Sequence, residues 1–152
     1  MKTIIVCASV SHGNTRRIAR SMAGALDAKV VAPEQADPAE LAGADLVGFG
    51  SGVFYGRLHR SLTDLVGALP TGGRRGRAFV FATSGLPEAP WAPFTRPVSR
   101  LLEARGFTVQ DTFSCRAFDT WAPFALVGGL HKTRPNPTDL SAAHTFAERL
   151  RD

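Results

Sequence analysis

The sequence predicts an α/β domain: a parallel sheet with helices on both faces. Three observations carry that expectation. Apolar, β-branched runs of strand length alternate with stretches whose apolar residues recur at helical spacing. The strand runs are apolar nearly throughout, as strands covered on both faces are. No repeat, biased tract or second core divides the 152 residues, so a single domain over 1–152 is expected. A chain of this length buries enough apolar surface to fold without a disulfide or a metal.

The elements follow in order. Residues 3–8 form the first strand. A helix over 15–26 turns Ile18, Met22, Ala25 and Leu26 to one side, and a brief strand over 29–32 follows. Asp37-Pro38-Ala39-Glu40-Leu41 reads as one helical turn, with Asp37 as N-cap and Pro38 in the first position. Residues 45–50 are the third strand. The helix over 59–69 faces Leu62, Leu65 and Val66 inward and is stopped by Leu69-Pro70-Thr71-Gly72-Gly73. The fourth strand covers 77–83. The helix over 93–105 buries Val98, Leu101 and Leu102, and the fifth strand covers 107–115. Residues 116–136 are rich in Pro, Gly and aromatics and too long for a plain connector. They read as a functional loop or a small inserted element. A helix over 139–151 closes the chain, with Thr138 as its N-cap.

Bulk properties exclude several classes. No apolar run approaches the length of a membrane span, and the N-terminus is too short in apolar residues for a signal peptide. A cytoplasmic protein is expected. Cys7 and Cys115 stand far apart, without CxxC or Cys/His spacing, so reduced packing cysteines and no metal site are expected. Cys115 ends the fifth strand beside Arg116, which leaves redox activity as its other reading. The net charge is +5, and fifteen of the eighteen basic residues are arginine. Such a chain is attracted to anionic surfaces. The densest basic run, Gly72 to Arg77, has no interleaved aromatics and reads as a solvated loop, so no nucleic-acid partner is expected.

In an open parallel sheet, ligands bind beyond the carboxyl ends of the strands, where the strand order reverses. The loop after the first strand reads Ser9-Val10-Ser11-His12-Gly13-Asn14-Thr15 and runs into a helix. Ser9, Ser11 and Thr15 offer hydroxyl donors, Gly13 permits a sharp turn, and the helix start supplies unpaired N–H groups. The arrangement suits a phosphate dianion, although Ser, Asn and Thr also serve as ordinary helix caps. Neither GxxxxGK[ST] nor GxGxxG is present, which argues against a nucleoside triphosphatase and a dinucleotide fold.

The segment from Ile5 to Thr15, ending Gly-Asn-Thr, resembles the phosphate loop of flavodoxins. Gly48-Phe49-Gly50-Ser51-Gly52-Val53-Phe54-Tyr55-Gly56 resembles that family's loop after the third strand. Phe81-Ala82-Thr83-Ser84-Gly85 resembles the loop after the fourth, and residues 129–140 the lead-in to the last helix. The likeness spans the chain in order. It implies a doubly wound five-stranded sheet in the order 2-1-3-4-5, with FMN bound noncovalently. Ser9, Ser11, His12, Gly13, Asn14 and Thr15 would hold the phosphate. Ser51, Gly52, Val53, Phe54, Tyr55 and Gly56 would border the isoalloxazine, with Thr83, Ser84 and Gly85 on another side and residues 115–121 closing the site. Phe54 or Tyr55 is favoured over Trp91 and Trp121 for stacking. In flavodoxins a peptide of the second loop can turn its carbonyl toward flavin N5, which a glycine such as Gly52 or Gly56 permits.

The resemblance implies an electron carrier between a flavin reductase and an acceptor protein. Its alternatives are an FMN-dependent oxidoreductase acting on a small-molecule acceptor, a quinone or porphyrinogen, and a non-redox partner-binding domain. No catalytic residue is assigned. One departure stands out: flavodoxins are usually acidic, whereas here Arg57, His59 and Arg60 follow the second loop directly. Positive charge there favours the reduced, anionic flavin and implies a less negative reduction potential. His12 and His59 are either proton donors or plain surface residues.

Overall fold

A computed structural model describes residues 1–8, 13–54, 57–70, 75–84, 94–116 and 137–151. The elements are β1 (Thr3–Ala8), α1 (Asn14–Leu26), β2 (Lys29–Val31), α2 (Pro38–Gly43), β3 (Leu46–Phe54), β4 (Arg57–Leu58), α3 (Arg60–Ala68), β5 (Arg77–Ser84), α4 (Arg96–Ala104), β6 (Thr108–Arg116) and α5 (Pro137–Arg149). Five strands are parallel in the order β2-β1-β3-β5-β6, and β4 pairs antiparallel with the end of β3. Among the parallel strands this is the expected 2-1-3-4-5 order. No helix among the described residues is long and apolar enough to cross a membrane.

The pleat divides each strand between two cores. Ile5 and Cys7 of β1 pack with α1 and α5 on one face; Ile4 and Val6 pack with α2, α3 and α4 on the other. The helix faces are those the periodicity marks. Ile18, Met22, Leu62, Val66, Val98 and Leu102 are all buried. Asp37 caps α2 by accepting the Ala39 N–H at 3.0 Å, with Pro38 opening the helix.

Two glycines set the spacing of the central strands. A Cβ at Gly48 would lie 2.3 Å from the Phe79 ring, and one at Gly50 would lie 2.2 Å from the Phe81 ring. Both rings are fully buried. They lie over the glycines of β3, which is paired with β5 in that register.

Basic side chains fasten the amino ends of the strands. Arg75 donates to the carbonyls of Arg105 and Pro70, both at 2.8 Å, and its guanidinium lies 5.7 Å from the Phe107 ring centre. Arg105 donates to the Gly67 carbonyl at 2.8 Å, and Arg77 to that of Leu150 at 3.0 Å. Lys29 and Lys2 both reach the Glu40 carboxylate, at 2.8 and 3.7 Å. The Lys29 hydrogen bond, with the nearby ammonium charges, holds that carboxyl below its usual range.

Several boundaries differ from expectation. The third strand does not stop at Gly50. Ser51 pairs with Ala8, Gly52 with Thr83, and Val53 and Phe54 with β4. Ser51 to Phe54 are therefore strand rather than loop. Thr83 and Ser84 are likewise strand, because β6 continues alongside them to Arg116. The last helix begins at Pro137, which suits the first turn because it has no N–H to satisfy. Thr138 thus sits inside the helix rather than capping it. Pro97 similarly sets the start of α4 at Arg96. Pro33–Gln35 form a 3₁₀ turn that the periodicity does not mark. Most of the 116–136 segment, with Trp121, and also Trp91 lie outside the described residues.

Replacing Gly50 with Ala should destabilise the fold by about 1–3 kcal/mol, the usual cost of overpacking a core. Gly67→Ala, in α3 where an added Cβ meets nothing within 4 Å, should instead stabilise by about 0.5–1 kcal/mol. Urea unfolding midpoints should move in opposite directions; equal behaviour of the two variants would refute the packing role of Gly50.

Candidate functional site

The strand order reverses between β1, which has β2 on one side, and β3 on the other. That reversal opens a crevice beyond the carboxyl ends of the two strands. The start of α1, the β3–β4 hairpin and the end of β5 converge there. Of the expected residues, Gly13, Asn14, Thr15, Ser51, Gly52, Val53, Thr83 and Ser84 are described, and Phe54 by its backbone. Ser9, Ser11, His12, Tyr55, Gly56 and Gly85 lie outside the described residues.

Gly13 is the N-cap of α1, in the left-handed conformation at φ 63° and ψ 21°. An added Cβ there would meet nothing within 4 Å, so the demand for glycine is conformational rather than spatial. Its carbonyl accepts the Arg17 N–H at 3.1 Å and starts the helix. A glycine brings no side-chain cap, and the N–H groups of the first turn have no carbonyl within the helix to meet. The first turn holds no acidic residue and instead carries Arg16 and Arg17, both exposed. Helix starts ordinarily favour carboxylates, by about 0.3–1 kcal/mol each. Here the helix's own positive end and two guanidinium groups add together, an arrangement suited to an external anion.

Asn14 and Thr15 are buried at the same place. The Thr15 and Thr83 hydroxyls are 2.8 Å apart, joining the first turn of α1 to the end of β5. With Gly52 beside Thr83 in register, residues of three separate expected loops become neighbours.

Other residues take structural parts that the sequence does not announce. The fully buried Ser51 donates its hydroxyl to the Gly52 carbonyl and accepts the His59 N–H, both at 2.7 Å. It pins the β3–β4 hairpin to the start of α3. His59 is the N-cap of α3; its Nδ1 accepts the Ser61 N–H at 3.0 Å and lies 2.7 Å from the Ser61 hydroxyl. The ring is thus engaged in capping, a role a histidine before a helix seldom signals.

Beneath α1 the floor is apolar, with Ile5 and Cys7 buried against Ile18 and Met22. Cys7 is 4% exposed, and burial pushes its thiol up to about 12 against the opposing pull of Arg16. Cys115, half-buried, pairs in register with Thr83 at the end of β6.

A flavodoxin-domain family profile matches residues 4–98. The chain is 32% identical over 150 residues to the uncharacterized protein MJ0298 of Methanocaldococcus jannaschii, across 99% of this chain and 98% of that one. Its fold is similar to that of a flavodoxin from the domain Archaea, with a TM-score of 0.70 at 20% identity over 99% of this chain and 96% of the other. It is equally similar to oxidised Flavodoxin 1 from Bacillus cereus, with a TM-score of 0.70 at 16% identity over 97% and 95%. At such identities the likeness to the two solved structures is one of fold.

The Cys7 thiol should resist Ellman's reagent in the native protein near pH 8 and react only on unfolding. Its raised value also sets a direction. The neutral thiol contributes its full stabilisation below the ordinary value of 9.0 and loses it as pH rises toward about 12. The stability difference between wild type and Cys7→Ala, measured by denaturant titration, should therefore shrink over that interval; a constant difference would contradict the burial argument.

Proposed function

The chain belongs to the flavodoxin family, and from that premise we propose that it binds FMN noncovalently and carries electrons between redox partners. The start of α1 is the observation that supports this most. A left-handed glycine cap, two buried polar residues and two arginines in a first turn that holds no acid, at the switch point, fit the phosphate dianion of FMN. In this reading Gly13, Asn14 and Thr15, with Ser9, Ser11 and His12, hold the phosphate. Gly52, Val53, Phe54, Tyr55 and Gly56 border the isoalloxazine on one side, framed by the Ser51 hydroxyl bonds, and Thr83, Ser84 and Gly85 border it on another. Thr83 supports the phosphate side through its bond to Thr15. Bound FMN supplies one- and two-electron transfer. The partners are a flavin reductase and an acceptor protein, and the cytoplasm keeps both cysteines reduced. Turnover of a quinone with NADPH and no added reductase would move the reading from carrier to FMN-dependent oxidoreductase.

Purified protein should be yellow and release FMN in a one-to-one ratio. Riboflavin, which lacks the phosphate, should bind far more weakly; equal affinity for the two would defeat the phosphate assignment. Thr15→Val should weaken FMN binding about 10- to 100-fold, the effect of losing a hydrogen bond to a charged group, as read by flavin fluorescence quenching.

The exposed Arg57 and Arg60 beside the flavin-edge hairpin should keep the potential of the reduced couple less negative than in acidic flavodoxins. Spectroelectrochemical titration should show it moving more negative in Arg57→Glu/Arg60→Glu. A potential as low as in acidic relatives, unmoved by reversal, would refute the effect.

A further inference from the structure

Several positive groups at the two edges of the sheet differ in how they are held. At the amino edge, Arg75, Arg77 and Arg105 donate to backbone carbonyls, and Lys2 and Lys29 share Glu40. Those charges are tied into the fold. At the carboxyl edge stand Arg16 and Arg17 in α1, Arg57 in β4, Arg60 as the first residue of α3 and Arg96 as the first residue of α4, all exposed. Among the described residues, the guanidinium groups of Arg16, Arg17, Arg57 and Arg96 make no hydrogen bond or ion pair. Arg60 faces Asp64 at 3.6 Å, but their side chains are 90% and 67% exposed. Such a pair is weak and easily exchanged. Of the other described acids near this edge, Asp139 in the first turn of α5 is buried, and the exposed Glu34 and Asp37 follow β2 at the outer strand of the sheet, where Asp37 caps α2.

The helix starts reinforce this difference. The first turns of α1, α3 and α4 hold no acidic residue, whereas α2 carries Glu40, paired with Lys2 and Lys29 of the amino edge, and α5 carries the buried Asp139. Three positive helix ends and five arginines therefore add at one edge, on both sides of the sheet. Arg16, Arg17, Arg60 and Arg96 each oppose the dipole of their helix, and the set of five repels itself. A single phosphate meets only the start of α1. Arg57, Arg60 and Arg96 lie beyond it, and a rim of that breadth matches a surface of opposite charge.

We infer that the carboxyl edge is a docking face for an acidic protein, whose carboxylates meet Arg57, Arg60 and Arg96 around the crevice. The inference rests on the flavin reading for the reason a partner approaches this edge. A protein is favoured over a nucleic acid because the charges are dispersed around a crevice instead of forming a stripe along which a phosphate backbone could run. The sign is opposite to that of acidic flavodoxins, so partner choice is inverted with it.

The test uses the nitrogen-15-labelled full chain titrated with a plant-type 2Fe–2S ferredoxin, a small acidic protein whose paramagnetic cluster broadens nearby amide resonances. Broadening is expected at residues 16–17, 57–60 and 96 and not at 75, 77 or 105. Binding should weaken about tenfold or more on raising NaCl to about 200 mM. The triple variant Arg57→Glu/Arg60→Glu/Arg96→Glu should weaken it by a similar factor, while Arg151→Glu, exposed near the amino edge, should leave it unchanged. Broadening centred on the amino edge, or insensitivity to the triple reversal, overturns the proposal. So does tighter, reversal-sensitive binding of a short DNA duplex at the same salt. The map needs no flavin, and absorbance of the same sample reports FMN content separately, so failure of docking and failure of the flavin reading are told apart.

Discussion

The fold depends on the contact between two phenylalanine rings and two glycines. Phe79 and Phe81 lie where any Cβ on Gly48 or Gly50 would stand. The rings stack on each other with centres 6.1 Å apart, and Phe79 meets Phe146 of α5 edge-on at 6.0 Å. Phe146 in turn meets Phe113 of β6 at 5.3 Å. This aromatic run ties β5, β6 and α5 into one block. The block then holds α1, whose Ser21 hydroxyl donates to the Leu140 carbonyl at 2.6 Å. Side chains repeat every second residue along a strand, so Thr83 continues the row of Phe79 and Phe81 on the α1 face. Its bond to Thr15 is the outer end of that row. The position of the first turn of α1, and with it the proposed phosphate cradle, follows from packing several residues deeper in the sheet.

That dependence explains what was legible in the sequence. Elements whose evidence is local could be read: the α1 face through Ile18 and Met22, the Asp37-Pro38 cap, the apolar run of β5. Their spacing within a single segment carries the signal. Features set by a distant partner could not. Residues 51–54 look like a glycine-rich loop, yet Ser51 and Gly52 are held in strand by Ala8 and Thr83, and Val53 and Phe54 by β4. Gly48 and Gly50 read as part of that same loop pattern, but their requirement comes from rings about thirty positions later. Thr15 and Thr83 each read as a ligand residue of a separate loop. Their mutual bond spans 68 positions and has no local trace. His59 likewise reads as a charge near a flavin edge, whereas its ring caps α3 and its N–H is taken by Ser51.

The same geometry governs the electrostatics of the crevice. Under α1 the strand face presents Ile5 and Cys7, and burial raises the Cys7 thiol despite the pull of Arg16. Burial is the larger effect, so the floor is a low-dielectric layer and gives little screening from below. Charges at the rim are screened mainly from the solvent side, and their attraction for an anion is stronger than on an open surface. Their mutual repulsion grows for the same reason. A carboxylate in the first turn of α1 would relieve that repulsion by a few tenths to about 1 kcal/mol, but it would neutralise the field at the crevice. The fold instead keeps the rim positive and relies on the glycine–phenylalanine packing, worth more than any one of these surface terms, to hold it in place.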